Sequence, residues 1–415
     1  MALALMLLFS LVATACGGGG TEPEPGSTVS EGLTPLPADS PAPSVPAAPT
    51  PSPTETPPPA SGRTGDEKLA PEFKDITGWI NSDPFTLESQ RGKVVLLDIW
   101  TYTCINCIRT LPFLKQWHEK YADQGLVIVG VHSPEFDFEK IRENVVEAVG
   151  KFGIEYPVIQ DNDFGTWRAL NNRYWPAKYL IDKNGYIRYA HFGEGAYDET
   201  EQRIRELLAE TGTDLSQIST DTVAGSERDP RAYTTNPRSS VTRELYAGYE
   251  RNYGALQSGG APPYIMHTKF YKDQDSDILY QDPGSHENHF IYLQGLWRNE
   301  PERLVHARDT QGYEDYVAIR FYATSVNLVM APASSGTLVV RLTIDGEPLK
   351  AEHAGADVMF EQDGTSFVFV DESRMYRLVD GSEFQSHELK LSSNSQEFSL
   401  FAFTFGAYEG GEPES

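Results

Sequence analysis

The chain has 415 residues, enough for two ordinary domains and a tail, since single hydrophobic cores rarely grow beyond about 250–300 residues. Its 60 acidic against 34 basic side chains give a formal charge of −26. That field repels phosphate backbones and anionic lipid surfaces, and no basic patch is concentrated anywhere, so no nucleic-acid partner is expected.

The opening stretch, MALALMLLFSLVATA, is too short to span a bilayer as a mature helix and long enough for the apolar core of a secretory signal. Small residues precede Cys16, an arrangement that resembles a bacterial lipoprotein signal, in which the cysteine is lipidated and becomes the new N-terminus. An ordinary cleaved signal is the alternative, and both place the rest of the chain outside the cytoplasm. Residues 16–66 are rich in Pro, Thr, Ser, Ala, Glu and Gly without an aromatic side chain, so they are expected to form a disordered tether. Extended polyproline at about 3.1 Å per residue would let it hold a domain up to roughly 100 Å from an anchor at Cys16.

From 67 to 212 short apolar runs alternate with amphipathic stretches, the pattern of strands joined through helices in a mixed α/β domain. KVVLLDIW reads as a buried strand, and a helix is expected from Ile105 to Ala122. A strand LVIVGVH, a helix from Phe138 to Phe152, a strand YPVIQ and a short helix from Phe164 to Asn171 follow. AKYLID and YIRYAHF form a hairpin across Asn184-Gly185, and a last helix runs from Glu199 to Glu210. A polar linker covers 213–240. Between 241 and 408 the periodicity changes to two, in runs such as GTLVVRLTIDG and FSLFAFTFG between turn residues, which predicts an antiparallel β-sandwich before a short tail at 409–415.

Three cysteines cannot build a disulfide framework; apart from Cys16 they form one close pair in WTYTCINCIRTLP, Cys104 and Cys107. A thiolate is the attacking species in disulfide exchange, and a helix N-terminus stabilises it through unpaired amides. Cys104 stands where the helix begins, so it is expected to be exposed and to attack. Cys107, one turn on, can resolve the mixed disulfide. A half zinc site lacks a second ligand pair at suitable spacing, and a purely structural disulfide is the other alternative. The dithiol would be its own redox centre, with no separate cofactor. Asp98, an acid inside an apolar strand, is costly to bury unless a site uses it.

The region from about 70 to 210 resembles the thioredoxin-like thiol-disulfide oxidoreductases of the extracytoplasmic TlpA type. Asp98 lies six residues before Cys104, Pro112 five after Cys107, and Trp175-Pro176 precedes the strand AKYLID. In that family the acid lies near the second cysteine, the first proline kinks the active-site helix, and the second is cis and aligns the client backbone. The strand and helix between Leu126 and Val158 match the TlpA-type insertion, and the resemblance places Glu135 of GVHSPEF beside the dithiol as a proton-exchanging or thiolate-tuning acid; a solvated loop carboxylate is the other reading. His132 reads as a packing residue at the strand end. Thr103 replaces the family's tryptophan and Ile105-Asn106 its Gly-Pro, positions that influence redox poise.

The combination of TYTCINC, NRYWPAKYLID, GEGAYDETE, TRELYAGYER and FAFTFG is similar to the soluble part of DipZ-like cytochrome c biogenesis proteins. Such proteins often carry a multi-span CcdA-like domain ahead of the thioredoxin part. Here a signal and tether stand in its place, so the implied electron donor is a separate CcdA/DsbD-like membrane protein. The resemblance also implies that the sandwich is carbohydrate-binding-module-like, with a sugar or cell-wall ligand possible; Trp297 and many tyrosines could bind it or lie in the core. His286, Glu287 and His289 of GSHENHF could in principle meet a metal, although a solvated polar loop is the plainer reading. Two rival functions are a thiol peroxidase, suggested by Thr101 to Cys104 but lacking the proline expected at Leu97, and a binding protein with a subsidiary redox domain.

Overall fold

The computed structural model describes residues 68–220, 241–252, 263–334, 336–381 and 384–407. The signal, Cys16, the tether up to residue 67, residues 221–240 of the linker and the tail lie outside the described residues.

The first domain runs β1 (Gly78–Ile80), β2 (Val94–Trp100), α1 (Ile105–Tyr121), β3 (Leu126–His132), α2 (Arg142–Lys151), β4 (Val158–Gln160), α3 (Gly165–Ala169), β5 (Ala177–Ile181), β6 (Ile187–Phe192) and α4 (Tyr197–Glu210). The sheet has the order β1-β4-β3-β2-β5-β6, with β2, β3 and β4 parallel and the other pairings antiparallel. Alternation along β2 sorts its side chains between two layers. Leu96 and Trp100 pack with Leu111, Leu114 and Trp117 of α1, while Leu97 and Ile99 face the opposite core with Val129, Val131 and Tyr179. Asp98 shares the parity of Leu96 and Trp100, and is thereby directed to the layer that α1 covers.

One expected element divides. The stretch read as a single helix from Phe138 to Phe152 is a 3-10 turn, Asp137–Lys140, followed by α2, with Ile141 extended between them at φ −72° and ψ 119°. Its cause is Glu139, whose buried carboxyl is used by backbone amides rather than by a helix face.

In the second domain every pairing between the named strands is antiparallel among the described residues. Its strands are β7 (Leu245–Tyr246), β8 (Asp277–Tyr280), β9 (Phe290–Asn299), β10 (Leu304–His306), β11 (Tyr316–Ala323), β12 (Ser325–Pro332), β13 (Leu338–Ile344), β14 (Glu347–Pro348), β15 (Met359–Phe360), β16 (Ser366–Val370), β17 (Arg374–Val379), β18 (Gln385–Ser393) and β19 (Phe398–Gly406). One sheet has the order β17-β12-β19-β10-β9-β8 with β7 paired to β19; the other runs β11-β18-β13-β16-β15 with β14 paired to β13. A single core takes side chains from both sheets, among them Leu328, Met330 and Phe403 from one and Val340, Val368 and Leu391 from the other. This is the sandwich expected from the period of two.

β12 and β19 are buried on both faces. Their outer face, Val329, Ala331, Phe401 and Ala402, packs against Ile105 and Ile108 of α1 and Phe136 of the loop after β3. Phe401 meets Phe136 and Phe138 edge-on, with ring centroids 5.1 and 4.9 Å away. The sandwich therefore docks directly on the helix that begins at Cys104.

Candidate active site

The chain leaves β2 at Trp100 and enters α1 through Thr101 to Thr103. Cys104 is the N-cap of α1, in extended conformation at φ −78° and ψ 112°, and its Sγ accepts a hydrogen bond from the Cys107 backbone N–H at 3.3 Å. One otherwise unpaired amide of the first turn is thus directed at this sulfur. Both thiols are free; Cys104 is half-buried and Cys107 is 1% exposed. Pro112 sits inside α1, where its missing N–H removes one rung of the helix. The Trp175-Pro176 bond is cis, and its loop is tied to the loop after β3 because the Trp175 indole N–H donates to the Ser133 carbonyl at 3.0 Å.

The thiols differ from the expectation of an exposed, low-pKa nucleophile. Burial pushes the Cys104 thiol up; the contact with Cys107 pulls it down, and the Glu244 and Glu135 carboxylates push it up again. Cys107 is pushed further, chiefly by burial, then by Cys104 itself and by Asp98. The helix terminus orders the pair without making either strongly acidic, because both are buried, Cys107 within the core of the first domain and Cys104 packed against it.

Asp98 lies beneath this pair. Its cross-strand partner in the β2–β5 register is Lys178, and both side chains are buried. Burial raises the Asp98 carboxyl to about 7, against the lowering pull of Lys178, and burial lowers Lys178 against the raising pull of Asp98 and Cys107. Asp98 Oδ1 and Lys178 Nζ have no hydrogen-bond partner among the described residues, while Lys178 Nζ lies 5.5 Å from the centroid of the Tyr197 ring. The pair can hold or release a proton under Cys107 with little electrostatic shielding. Lys178 was not singled out from sequence; the signal was available, since a lysine inside AKYLID is as anomalous as an aspartate inside KVVLLDIW.

Glu135 is no solvated loop carboxylate. Its side chain is 13% exposed and its Oε1 accepts from the Tyr246 hydroxyl at 2.8 Å and from Arg251 Nη2 at 3.0 Å, both in the second domain. Burial raises its carboxyl to about 7, opposed by Arg251 and reinforced by Glu244 and Glu139. Glu139 sets the local frame: its Oε1 accepts from the Thr103 hydroxyl at 2.5 Å, and its Oε2 accepts from the backbone N–H of Glu135 at 2.5 Å and of Phe136 at 3.0 Å. The residue before Cys104 and the loop that carries Glu135 are thereby fastened to one carboxyl. A glutamate in an amphipathic stretch looks solvated in sequence, so Glu139 carried no signal.

His132 is a buried packing residue, edge-on to Trp100 and stacked on Tyr102, and burial lowers its imidazole to about 3. In the second domain His286 lies between Asp282 and Glu388, at 2.8 Å from each, whereas His289 Nδ1 is 2.9 Å from the Thr242 hydroxyl. The GSHENHF histidines thus engage separate partners, and among the described residues no cluster of three metal-ligating side chains forms. Trp297 lies in the sandwich core and donates its indole N–H to the Gln294 carbonyl at 2.9 Å, so its ring offers no platform for a sugar.

Residues 64–208 match the family model described as Redoxin, and residues 242–406 match the one described as thioredoxin like C-terminal domain. Over 344 residues the chain is 34% identical to Protein DipZ of Mycobacterium tuberculosis and of Mycobacterium bovis, covering 81% of this chain and 43% of each relative. The chain thus spans less than half the length of those relatives. Over 147 residues it is 29% identical to the thiol-disulfide oxidoreductase YkuV of Bacillus subtilis, covering 35% of this chain and 99% of that protein. A thiol-disulfide isomerase of known structure from Corynebacterium glutamicum is 24% identical with a TM-score of 0.31, covering 34% of this chain and 97% of that one.

Proposed function

We propose, from the premise that this chain belongs to the thioredoxin-like thiol-disulfide oxidoreductases, that it reduces protein disulfides outside the cytoplasm. Cys104 attacks the client disulfide, Cys107 resolves the adduct, and the cis Pro176 loop aligns the client backbone. Asp98, beneath Cys107, and Glu135, beside Cys104, take and return the protons. The reading rests on one observation: Cys104 caps α1 with its sulfur held by the Cys107 amide, and Cys107 lies buried one turn on.

The direction is argued from the thiols. An oxidising dithiol owes its potential to a stabilised thiolate, and burial with nearby carboxylates does the opposite for Cys104. Equilibrating the purified protein with glutathione buffers should give a potential near that of thioredoxin, about −270 mV; a value near that of DsbA, about −120 mV, would reverse the direction. Electrons would come from a CcdA/DsbD-like membrane donor. Lipidation at Cys16 would hold the protein at the outer face of the cell membrane. Cys16→Ser should release it from the membrane fraction with insulin reduction intact, and unchanged membrane association would remove the anchor from this account. Turnover of hydrogen peroxide at peroxiredoxin-like rates would favour the peroxidase instead.

A further inference from the structure

We propose that the β domain completes the redox site: Glu244 pairs with Glu135 across the domain boundary, and the two carboxyls hold one proton between them beside Cys104. The inference rests on the reading of Cys104 as the attacking thiol and adds a residue from the second domain.

The geometry is set by docking. Tyr246 is paired with Ala402 in the β7–β19 ladder, and it belongs with Phe401 and Ala402 to the outer face that packs on Ile105, Ile108 and Phe136. Glu244 stands just before β7, and its carboxyl reaches the same hydroxyl as Glu135. The Tyr246 hydroxyl is 2.8 Å from Glu135 Oε1 and 3.0 Å from Glu244 Oε2. A phenol has one proton to donate, so it can serve one carboxylate. The other contact is a hydrogen bond only when that carboxyl is itself protonated and donates to the phenolic oxygen.

Charge leads to the same state. Arg251 is the cation bound here, with Nη2 3.0 Å from Glu135 and its guanidinium 4.6 Å from the centroid of the Tyr246 ring. The Arg251 charge acts on both Glu135 and Glu244, while Glu139 adds a further carboxyl beside Glu135. Two carboxyls sharing a site cannot both ionise cheaply. Glu244 is solvent-exposed, so the proton can exchange with water.

A singly protonated pair suits the first half of the exchange. As Cys104 Sγ bonds to one sulfur of the client disulfide, its proton passes to the ionised member of the pair. The client S–S bond breaks with its electron pair on the second client sulfur, which takes the proton held by the other carboxyl. The pair ends as it began, with one proton. Cys107 then resolves the adduct over Asp98 and Lys178, a separate set of groups.

The test is the pH profile of iodoacetamide alkylation of Cys104 in the full chain, followed by mass spectrometry of the Cys104 peptide between pH 5 and 10. Wild type should show the thiol midpoint and a second inflection above the ordinary carboxylate range from the pair. In Glu244→Gln the inflection should move to lower pH and the thiol midpoint should fall by roughly one unit, since one nearby carboxylate is gone. Glu244→Asp, which keeps the charge, should lie close to wild type. A Glu244→Gln profile that superimposes on wild type overturns the proposal, and so does a Glu244→Asp profile identical to Glu244→Gln, which would make the effect one of packing. Failure of wild type to exchange with any protein disulfide would instead sink the reductase reading, leaving the two failures distinguishable.

Discussion

Asp98 and Lys178 face each other inside a buried layer, and what each does to the other is measurable as pH dependence. The Asp98 carboxyl is raised by burial from 3.8 to about 7 in the folded protein. Between those values the folded state holds a proton that the unfolded chain has released, so stability falls as pH rises through the window from about 4 to 7. Denaturant unfolding at pH 4.5 and pH 8 should show wild type losing on the order of 2–4 kcal/mol more across this window than Asp98→Asn. Equal losses would mean that Asp98 titrates normally. The order of attack belongs to the same scale. Cys104 sits at the helix cap and is raised less than Cys107. In Cys107→Ser, clients should accumulate as mixed disulfides that dithiothreitol releases, whereas Cys104→Ser should collect few; the reverse pattern would exchange the two roles.

Among the elements, the break between the 3-10 turn Asp137–Lys140 and α2 positions the site most directly. Glu139 turns inward there and satisfies the amides of Glu135 and Phe136 together with the Thr103 hydroxyl. Removing the acceptor leaves buried donors without partners, at about 1–3 kcal/mol each. With the two backbone amides unpaired, Glu139→Ala should therefore lower stability by about 2–6 kcal/mol in thermal or denaturant unfolding, while Glu139→Gln, whose amide oxygen can still serve the two backbone donors, should retain most of it. Comparable losses in both variants would show that the carboxylate charge, rather than its acceptor geometry, holds the loop.

For the whole molecule, the docking of the sandwich on the first domain includes an aromatic cluster, Phe401 against Phe136 and Phe138. Phe401→Ala should cost about 3–5 kcal/mol if the cavity does not collapse. Because this face also carries Tyr246 and Glu244 to the dithiol, the variant should alkylate faster at Cys104 at fixed pH as the thiol is uncovered. Lowered stability with an unchanged Cys104 rate would separate docking from the redox site.

Much of this architecture is written in local pattern. The three-residue spacing of Cys104 and Cys107 before an amphipathic stretch, Asp98 within KVVLLDIW, Pro176 before AKYLID, and the change of period after the linker each depend on neighbours a few positions away, and local neighbours are what a sequence displays. The first domain's sheet and helices and the sandwich could be expected on those grounds. Other features depended on which distant surfaces meet. FSLFAFTFG reads as alternating, yet Phe401 and Ala402 are buried beside Phe403 because a second domain covers the outer face. Lys178 becomes the partner of Asp98 only through antiparallel pairing of β2 with β5. Tyr246 meets Glu135, 111 positions away, only because β7 docks over the loop after β3. Periodicity determined which faces are apolar. Tertiary packing decided what covers them, and so removed water from the thiols and carboxyls and placed their protonation in the hands of residues from both domains.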